Sequence, residues 1–194
     1  SLNSVKALDA SAHRFLVPFA RTLEELDFSF NQISFVNDTF FADFARLRLI
    51  SLRGNRVKGL GDLVLNSVHL DTLDLAHNLI EHVGQLRFVG HSANNNLMNI
   101  SLEHNRLRSV PTISGSLASL GVLNLSDNAL EFGGNKRKKG FFAASQYSFP
   151  IGQLCLANNS LHTRDFGLLR FLNASTRHVA QLDLARNRNL DLYF

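Results

Sequence analysis

Two histidines and an aspartate, His77, His104 and Asp127, each stand directly before an asparagine in the sequence. If the three asparagines mark successive turns of one repeat, the three side chains form a row with about 4.8 Å between neighbours. Two imidazoles and a carboxylate can bind a metal or respond to pH. We favour the simpler interpretation, that these are exposed side chains at the rim of a strand face. The sequence therefore predicts no metal, no cofactor and no catalytic residues.

A second group with possible chemistry is the basic run formed by Lys136, Arg137, Lys138 and Lys139, which lies between glycines. Flanking glycines and consecutive like charges predict an exposed loop. A solvated insertion is the favoured interpretation. Two alternatives stay open, a docking site for an acidic partner, phosphate or lipid headgroup, and a nuclear-import signal.

Other catalytic signatures do not occur in the sequence. It contains no glycine-rich phosphate loop, no nucleophile elbow and no paired zinc ligands. The single cysteine, Cys155, falls in a predicted outward-facing strand position, where a small filler is a simpler role than a nucleophile. The chain is therefore not expected to be an enzyme.

The elements that must position these residues are repeats of one pattern, seen most clearly over residues 70–80. There Leu73 and Leu75 alternate at strand period, and Asn78 follows where the strand should turn. Apolar residues recur three, five and eight positions before seven asparagines, namely Asn31, Asn55, Asn78, Asn105, Asn128, Asn159 and Asn187. His13 holds the corresponding position in a shortened first copy. The resulting steps are 18, 24, 23, 27, 23, 31 and 28 residues.

With about eight such copies, the chain resembles the leucine-rich repeat family over nearly all its length. The resemblance implies an α/β fold: a curved solenoid with parallel strands on the concave face and short helices and irregular turns on the convex face. An asparagine ladder is expected along the bend. We expect residues 1–194 to form a single leucine-rich repeat domain, the interaction part of a longer protein.

The outer side of the solenoid is predicted from shorter patterns. Residues 57–70 suggest a helix starting at Asp62, and a second convex helix is expected at 165–172. Asn37 resembles a helix cap before a cluster of three phenylalanines, whereas Pro111 should keep its own segment extended. Phenylalanines between the repeats are interpreted as core residues, namely Phe40, Phe41, Phe44, Phe88, Phe166 and Phe171.

Composition sets the expected compartment. Extracellular members of the family usually carry paired cysteines at their ends, which one cysteine cannot supply. The sequence also lacks an apolar stretch long enough for a membrane span and an N-terminal signal peptide. We therefore expect an intracellular protein, cytoplasmic or associated with the cytoskeleton. The net charge of +4 does not by itself indicate nucleic acid.

The concave face is the predicted functional surface. Positions two, four and six before each asparagine should face solvent there, and they hold mainly small and polar side chains. The predicted partner-binding residues are Glu25, Asp27, Arg53, Asp74, Asn99, Ser101, Glu103 and Asn124, with His77, His104 and Asp127 at the rim. Eight strands span about 34 Å, the length of about 22 helical residues.

These observations predict a non-catalytic protein–protein interaction module, a scaffold or adaptor that presents a mildly acidic face to a basic or amphipathic helix. One alternative is a module that binds nucleic acid or an acidic partner through residues 136–139, although nucleic acid is the less favoured partner. A regulatory subunit of an enzyme such as a phosphatase is another alternative.

Overall fold

The computed structural model describes residues 4–89, 96–115, 117–131, 149–162, 179–188 and 190. Within them, almost all regular structure is strand. The elements in chain order are β1 (Ala7–Leu8), α1 (Ala10–Leu16), a 3-10 turn (Val17–Phe19), β2 (Glu25–Asp27), β3 (Phe35–Val36), β4 (Leu49–Ser51), β5 (Gly59–Leu65), β6 (Thr72–Asp74), β7 (His82–Phe88), β8 (Asn96–Ser101), β9 (Thr112–Gly115), β10 (Ser119–Asn124), β11 (Ile151–Cys155) and β12 (Val179–Asp183). No helix in this part of the chain is long and apolar enough to cross a membrane.

The main sheet contains seven parallel strands in the order β2-β4-β6-β8-β10-β11-β12. Its register repeats from strand to strand, so that Leu73 pairs with Ile50 on one side and Ile100 on the other. These side chains point inward and are at most 1% exposed. Burial of one apolar face of each short strand against the next repeat creates a single continuous core. The predicted leucine-rich-repeat solenoid is confirmed.

The predicted asparagine ladder is also confirmed. In each repeat the asparagine amide nitrogen donates to the carbonyl three residues before it, and from Asn55 onward it also donates to the equivalent carbonyl of the preceding repeat. The side-chain oxygen accepts a backbone N–H from the preceding repeat, for example that of Ile80 on Asn105 at 2.9 Å. The ladder thus satisfies backbone groups that the turn would otherwise bury unpaired.

A left-handed backbone conformation precedes every ladder asparagine. The residue before it has a positive φ, between 48° and 68°, and its N–H donates to the next repeat where that repeat is described. We call these residues the αL row: Phe30, Gly54, His77, His104, Asp127, Asn158 and Arg186.

The convex side differs from the helix predicted over 57–70. Residues 59–65 form β5, the first strand of a parallel sheet with the order β5-β7-β9. Leu60, Leu63 and Leu65 are at most 2% exposed there. Gly59 and Gly61 disfavour a helix, and pairing with β7 satisfies the backbone instead. The extended segment predicted after Pro111 is confirmed by β9, whereas the helix predicted at 165–172 lies outside the described residues.

The N-terminal end also departs from the predicted pattern. Asp9 caps α1 by accepting the N–H groups of Ser11 and Ala12, so His13 lies in a helix and not in the asparagine position. β1 pairs with β3 and not with the main sheet. The main sheet of the described residues therefore has seven strands where eight were expected.

The phenylalanine cluster after Asn37 belongs to the core, as predicted, although its backbone forms turns and not a helix. Asn37 accepts the N–H of Thr39 at 2.9 Å, which closes a local turn. Phe40, Phe41 and Phe44 are at most 1% exposed, and Phe88 is also buried. Phe166 and Phe171 lie outside the described residues.

Candidate functional site

The outward face of the main sheet, here called the concave face, is built from three rows of side chains that follow the strand register. The central row, four positions before each ladder asparagine, is Asp27, Ser51, Asp74, Ser101, Asn124, Cys155 and Asp183. Its small members are largely covered by their neighbours, and Ser51 and Ser101 are each 8% exposed. The side chains at the centre of this face are therefore short, so that another chain can approach the strands closely.

Four predicted partner-binding residues come together at the middle of this face. Arg53 extends across the sheet, with Nη1 3.6 Å from Asp74 Oδ2 and Nη2 3.6 Å from Glu103 Oε1. Asn124 donates to Glu103 Oε2 at 2.5 Å. Glu103 is thus approached from two sides by donors on different repeats. The four side chains form a polar cluster that no single repeat could build.

The acidic side chains in the central row also have a structural role. Asp27 Oδ1 accepts the Ser29 N–H at 2.8 Å, and Asp74 Oδ1 accepts the Ala76 N–H at 3.0 Å. Asn124 and Asp183 make the same contact two residues on. Such side-chain turns stabilise the chain as it leaves the strand. A lysine at Asp27 or Asp74 would remove the acceptor of this turn contact.

Two other predicted residues lie apart from the polar cluster, whereas Ser101 lies between Asp74 and Asn124 in the strand register. Glu25 is exposed on β2 at the end of the sheet, and Ser101 is buried between strands. Asn99 is half-buried, and its Oδ1 has no hydrogen-bond donor among the described residues. Lys136, Arg137, Lys138 and Lys139 lie outside the described residues, so the basic loop stays a prediction.

The rim of the face is the αL row, where the predicted line of His77, His104 and Asp127 is present. The rings of His77 and His104 stack with centroids 4.4 Å apart and 27° between their planes. Asp127 Oδ2 lies 3.7 Å from His104 Nε2. Asn158 continues the line by donating to Asp127 Oδ1. The row forms because each residue has the same left-handed backbone one repeat after the previous one.

Glu103 belongs to the rim as well as to the concave face, a position that we did not predict from the sequence. Its Oε1 lies 3.8 Å from His77 Nε2. One possible ligand atom from each of His77, Glu103 and His104 lies within 4.8 Å of the other two. The repeat spacing contained the signal for this contact. A residue one position before its asparagine, such as His77, lies beside the residue two positions before the asparagine of the next repeat, such as Glu103.

Cys155, the one cysteine of the chain, lies in the predicted outward-facing strand position, but it is only 9% exposed and is therefore buried by its neighbours where a small surface filler was predicted. Burial raises the pKa of its thiol, and the negative charges of Asp183 and Glu103 raise that pKa further. The thiol is therefore poorly suited to act as a nucleophile, which must be a thiolate.

Comparisons with known proteins agree with this geometry. A family model described as Leucine Rich Repeat matches residues 22–44. Tsukushi from chicken (Gallus gallus) is 28% identical over 197 residues, an alignment that covers 89% of this chain and 50% of that protein. A crystal structure of a leucine-rich repeat protein from Bacteroides eggerthii has a TM-score of 0.63 at 18% identity, over 87% of this chain and 27% of that one. The chain thus spans about half the length of the curated relative.

Proposed function

We propose that this chain, which is a leucine-rich repeat protein, is a non-catalytic interaction module that binds a basic segment of a partner protein on its concave face. Domains of this fold are generally interaction modules. The observation that carries the proposal is the charge on the three outward rows. Five carboxylates and one guanidinium face outward there, although the whole chain carries a net charge of +4. The charged residues of these rows are Glu25, Asp27, Asp74, Glu103, Asp183 and Arg53.

The proposed guest is a basic or amphipathic helix. Seven strands leave six gaps of about 4.8 Å, so the sheet is about 29 Å wide, the length of about 19 helical residues. The small side chains of the central row allow a helix backbone to approach. The carboxylates within that row and in the two flanking rows attract cationic side chains. Arg53 neutralises part of the negative charge of Asp74 and Glu103. Glu25 and Asp27, on β2, therefore carry the exposed negative charge at one end of the sheet.

A scaffold or adaptor role inside the cell stays a prediction, as does a role as a regulatory subunit. A site on residues 136–139 for nucleic acid or an acidic partner is the rival proposal. Acidic ligands and basic ligands differ in charge, so the two proposals predict opposite preferences and can be tested in one binding experiment.

The experiment uses three 19-residue helical peptides of equal hydrophobicity and basic, neutral or acidic net charge, together with a single-stranded oligonucleotide. Fluorescence anisotropy would measure binding to the full chain at low and physiological salt. We expect the basic peptide to bind more tightly than the other two, with an affinity that falls as salt rises.

Matched variants locate the surface. Asp27→Asn combined with Glu103→Gln removes charge while keeping hydrogen-bonding groups, and it should weaken the basic peptide by about tenfold or more. Serine at 136–139 should leave the basic peptide unaffected. Equal affinity for all three peptides would contradict the concave-face proposal. So would a loss of basic-peptide binding that occurs only in the variant with serine at 136–139. Oligonucleotide binding that the serine variant abolishes would support the rival.

A further inference from the structure

The rim contains two imidazoles and a carboxylate in one small group. His77 and His104 stack at 4.4 Å, and Glu103 Oε1 lies 3.8 Å from His77 Nε2. One possible ligand atom from each of the three residues can be chosen so that all lie within 4.8 Å of one another. Both histidines are exposed, and Glu103 is half-buried. The group is therefore open to ions from solvent.

The backbone holds these three residues in place before any ion binds. The N–H of His77 donates to the carbonyl of Glu103 at 3.0 Å, and the N–H of His104 donates to Ser126 at 3.1 Å. Both histidines have the left-handed φ of the αL row, 54° and 50°. Asn124 restrains the Glu103 carboxylate at Oε2 and leaves Oε1 directed toward His77. Convergence on one ion would require side-chain rotations that bring these ligand atoms closer together.

We propose that His77, Glu103 and His104 bind a divalent transition-metal ion of the Zn²⁺ class at the rim of the solenoid. Two imidazole nitrogens and one carboxylate oxygen are a ligand set that Zn²⁺ takes with a fourth position open. Imidazole ligands favour Zn²⁺, Cu²⁺ or Ni²⁺ over Mg²⁺ and Ca²⁺. The open position allows water or a partner's side chain to complete the coordination. This site shares Glu103 with the peptide-binding surface proposed above, but zinc binding is measured without a peptide and does not depend on that surface.

Of the neighbouring charges, one opposes and one favours the binding of a cation at this site. Arg53 Nη2 lies 3.6 Å from Glu103 Oε1, so its positive charge opposes a cation at that oxygen. Its other contact, with Asp74, lets Arg53 turn away from Glu103 without losing every partner. Asp127, 3.7 Å from His104 Nε2, adds a negative charge on the opposite side. Arg53 should therefore lower the affinity of this site for the ion without abolishing binding.

The test is zinc binding to the tag-free full chain after treatment with a chelator, measured by calorimetry and by competition with a chromophoric zinc indicator. We expect about one ion per chain. His77→Asn and His104→Asn should each weaken binding by about tenfold or more. Asparagine is the matched replacement, because it tolerates a positive φ and stands in the same row at Asn158. His69→Asn is the control for unspecific imidazole binding and should change nothing.

Two further variants separate this ligand set from the row of His77, His104 and Asp127. Glu103→Gln keeps a hydrogen-bonding group for Asn124 and should lower affinity as strongly as the histidine variants. Asp127→Asn should lower affinity by no more than about threefold, since it removes only a nearby charge. Arg53→Gln should tighten binding. Circular dichroism would check that every variant is folded.

Several outcomes would overturn the proposal. They are the absence of zinc binding below about 100 µM, unchanged affinity in His77→Asn or in His104→Asn, and an equal loss of affinity in the His69→Asn control. A strong loss of zinc affinity in Asp127→Asn, with no loss in Glu103→Gln, would assign the ion to the row of His77, His104 and Asp127. A large loss of zinc affinity in His77→Asn, His104→Asn and Glu103→Gln, and in no other variant, would support the proposal.

Discussion

The side-chain oxygen of Asn78 accepts a hydrogen bond from the backbone N–H of Val57 at 3.1 Å, across one repeat. The amide nitrogen of the same side chain lies 2.8 Å from the Leu52 carbonyl and 3.2 Å from the Leu75 carbonyl. Asn78 is 5% exposed. One buried amide therefore connects two consecutive repeats. Its removal would leave the Val57 N–H without an acceptor, whereas the Leu52 and Leu75 carbonyls would keep the amides of Asn55 and Asn105.

Replacement of Asn78 by alanine should lower the free energy of unfolding by about 1–3 kcal/mol, because the buried Val57 N–H loses its acceptor and one carbonyl of each repeat loses one of its two amide donors. Urea denaturation followed by circular dichroism would measure it. Asn66→Ala is the control, since Asn66 is only partly buried and donates to the single carbonyl of Ala42. A cost below about 0.5 kcal/mol for Asn78→Ala, the range of ordinary surface changes, would contradict a stabilising ladder.

Gly54 is the glycine of the αL row, with a φ of 68°. Gly54→Ala should destabilise the chain by about 1–2 kcal/mol, the cost of a left-handed conformation for a residue with a Cβ. Gly54→Asn should cost less, because asparagine tolerates this conformation. Thermal and urea unfolding would compare the two variants. Equal stability of the alanine and asparagine variants would argue against backbone strain as the cause.

Contact with Phe30 adds a separable steric component at the same position. A Cβ on Gly54 would lie 2.7 Å from Phe30 Cδ1, a ring that is 71% exposed and free to move. In a Phe30→Ala background, Gly54→Ala should therefore keep most of its cost. If the cost disappears in that background, the ring and not the backbone angle determines it.

Asp27 combines a surface charge with a turn contact. Asp27→Ala should lower stability by about 0.5–1.5 kcal/mol because the Ser29 N–H loses its acceptor. Asp27→Asn keeps that acceptor and should stay within about 0.5 kcal/mol of the parent. Urea unfolding of both variants is the measurement. Similar losses in the two variants would indicate that charge, not the turn contact, is the stabilising feature.

The Cys155 thiol should react slowly with a disulfide reagent at pH 7.5. Its pKa is raised by burial and by Asp183, so less thiolate is present at that pH than in an unfolded peptide. We expect a rate at least about tenfold below that of a cysteine peptide, rising to the peptide rate in denaturant. Asp183→Asn should lower the pKa and speed the reaction, whereas distant Asp27→Asn should not. A rate equal to that of the peptide would show that the thiol is accessible.

Part of this fold could be predicted from the sequence because the determining contacts recur at one spacing. Leu73, Leu75 and Asn78 hold positions that are repeated along the chain, and each repeat needs its neighbours to bury the same apolar face. Burial of the leucines and the ladder contacts of the asparagines follow from that spacing. The rim line of His77, His104 and Asp127 followed for the same reason.

Only the tertiary structure decided the features that depend on a neighbouring repeat. Leu60 and Leu63 fit a helical spacing, but hydrogen bonds to β7 make their segment a strand. Local pattern could not show which residue of the turn takes the positive φ, because that depends on how the N–H of His77 meets the carbonyl of Glu103. That contact places Glu103 of the concave face beside His77 of the rim, a pairing that we did not predict although the repeat spacing allows it.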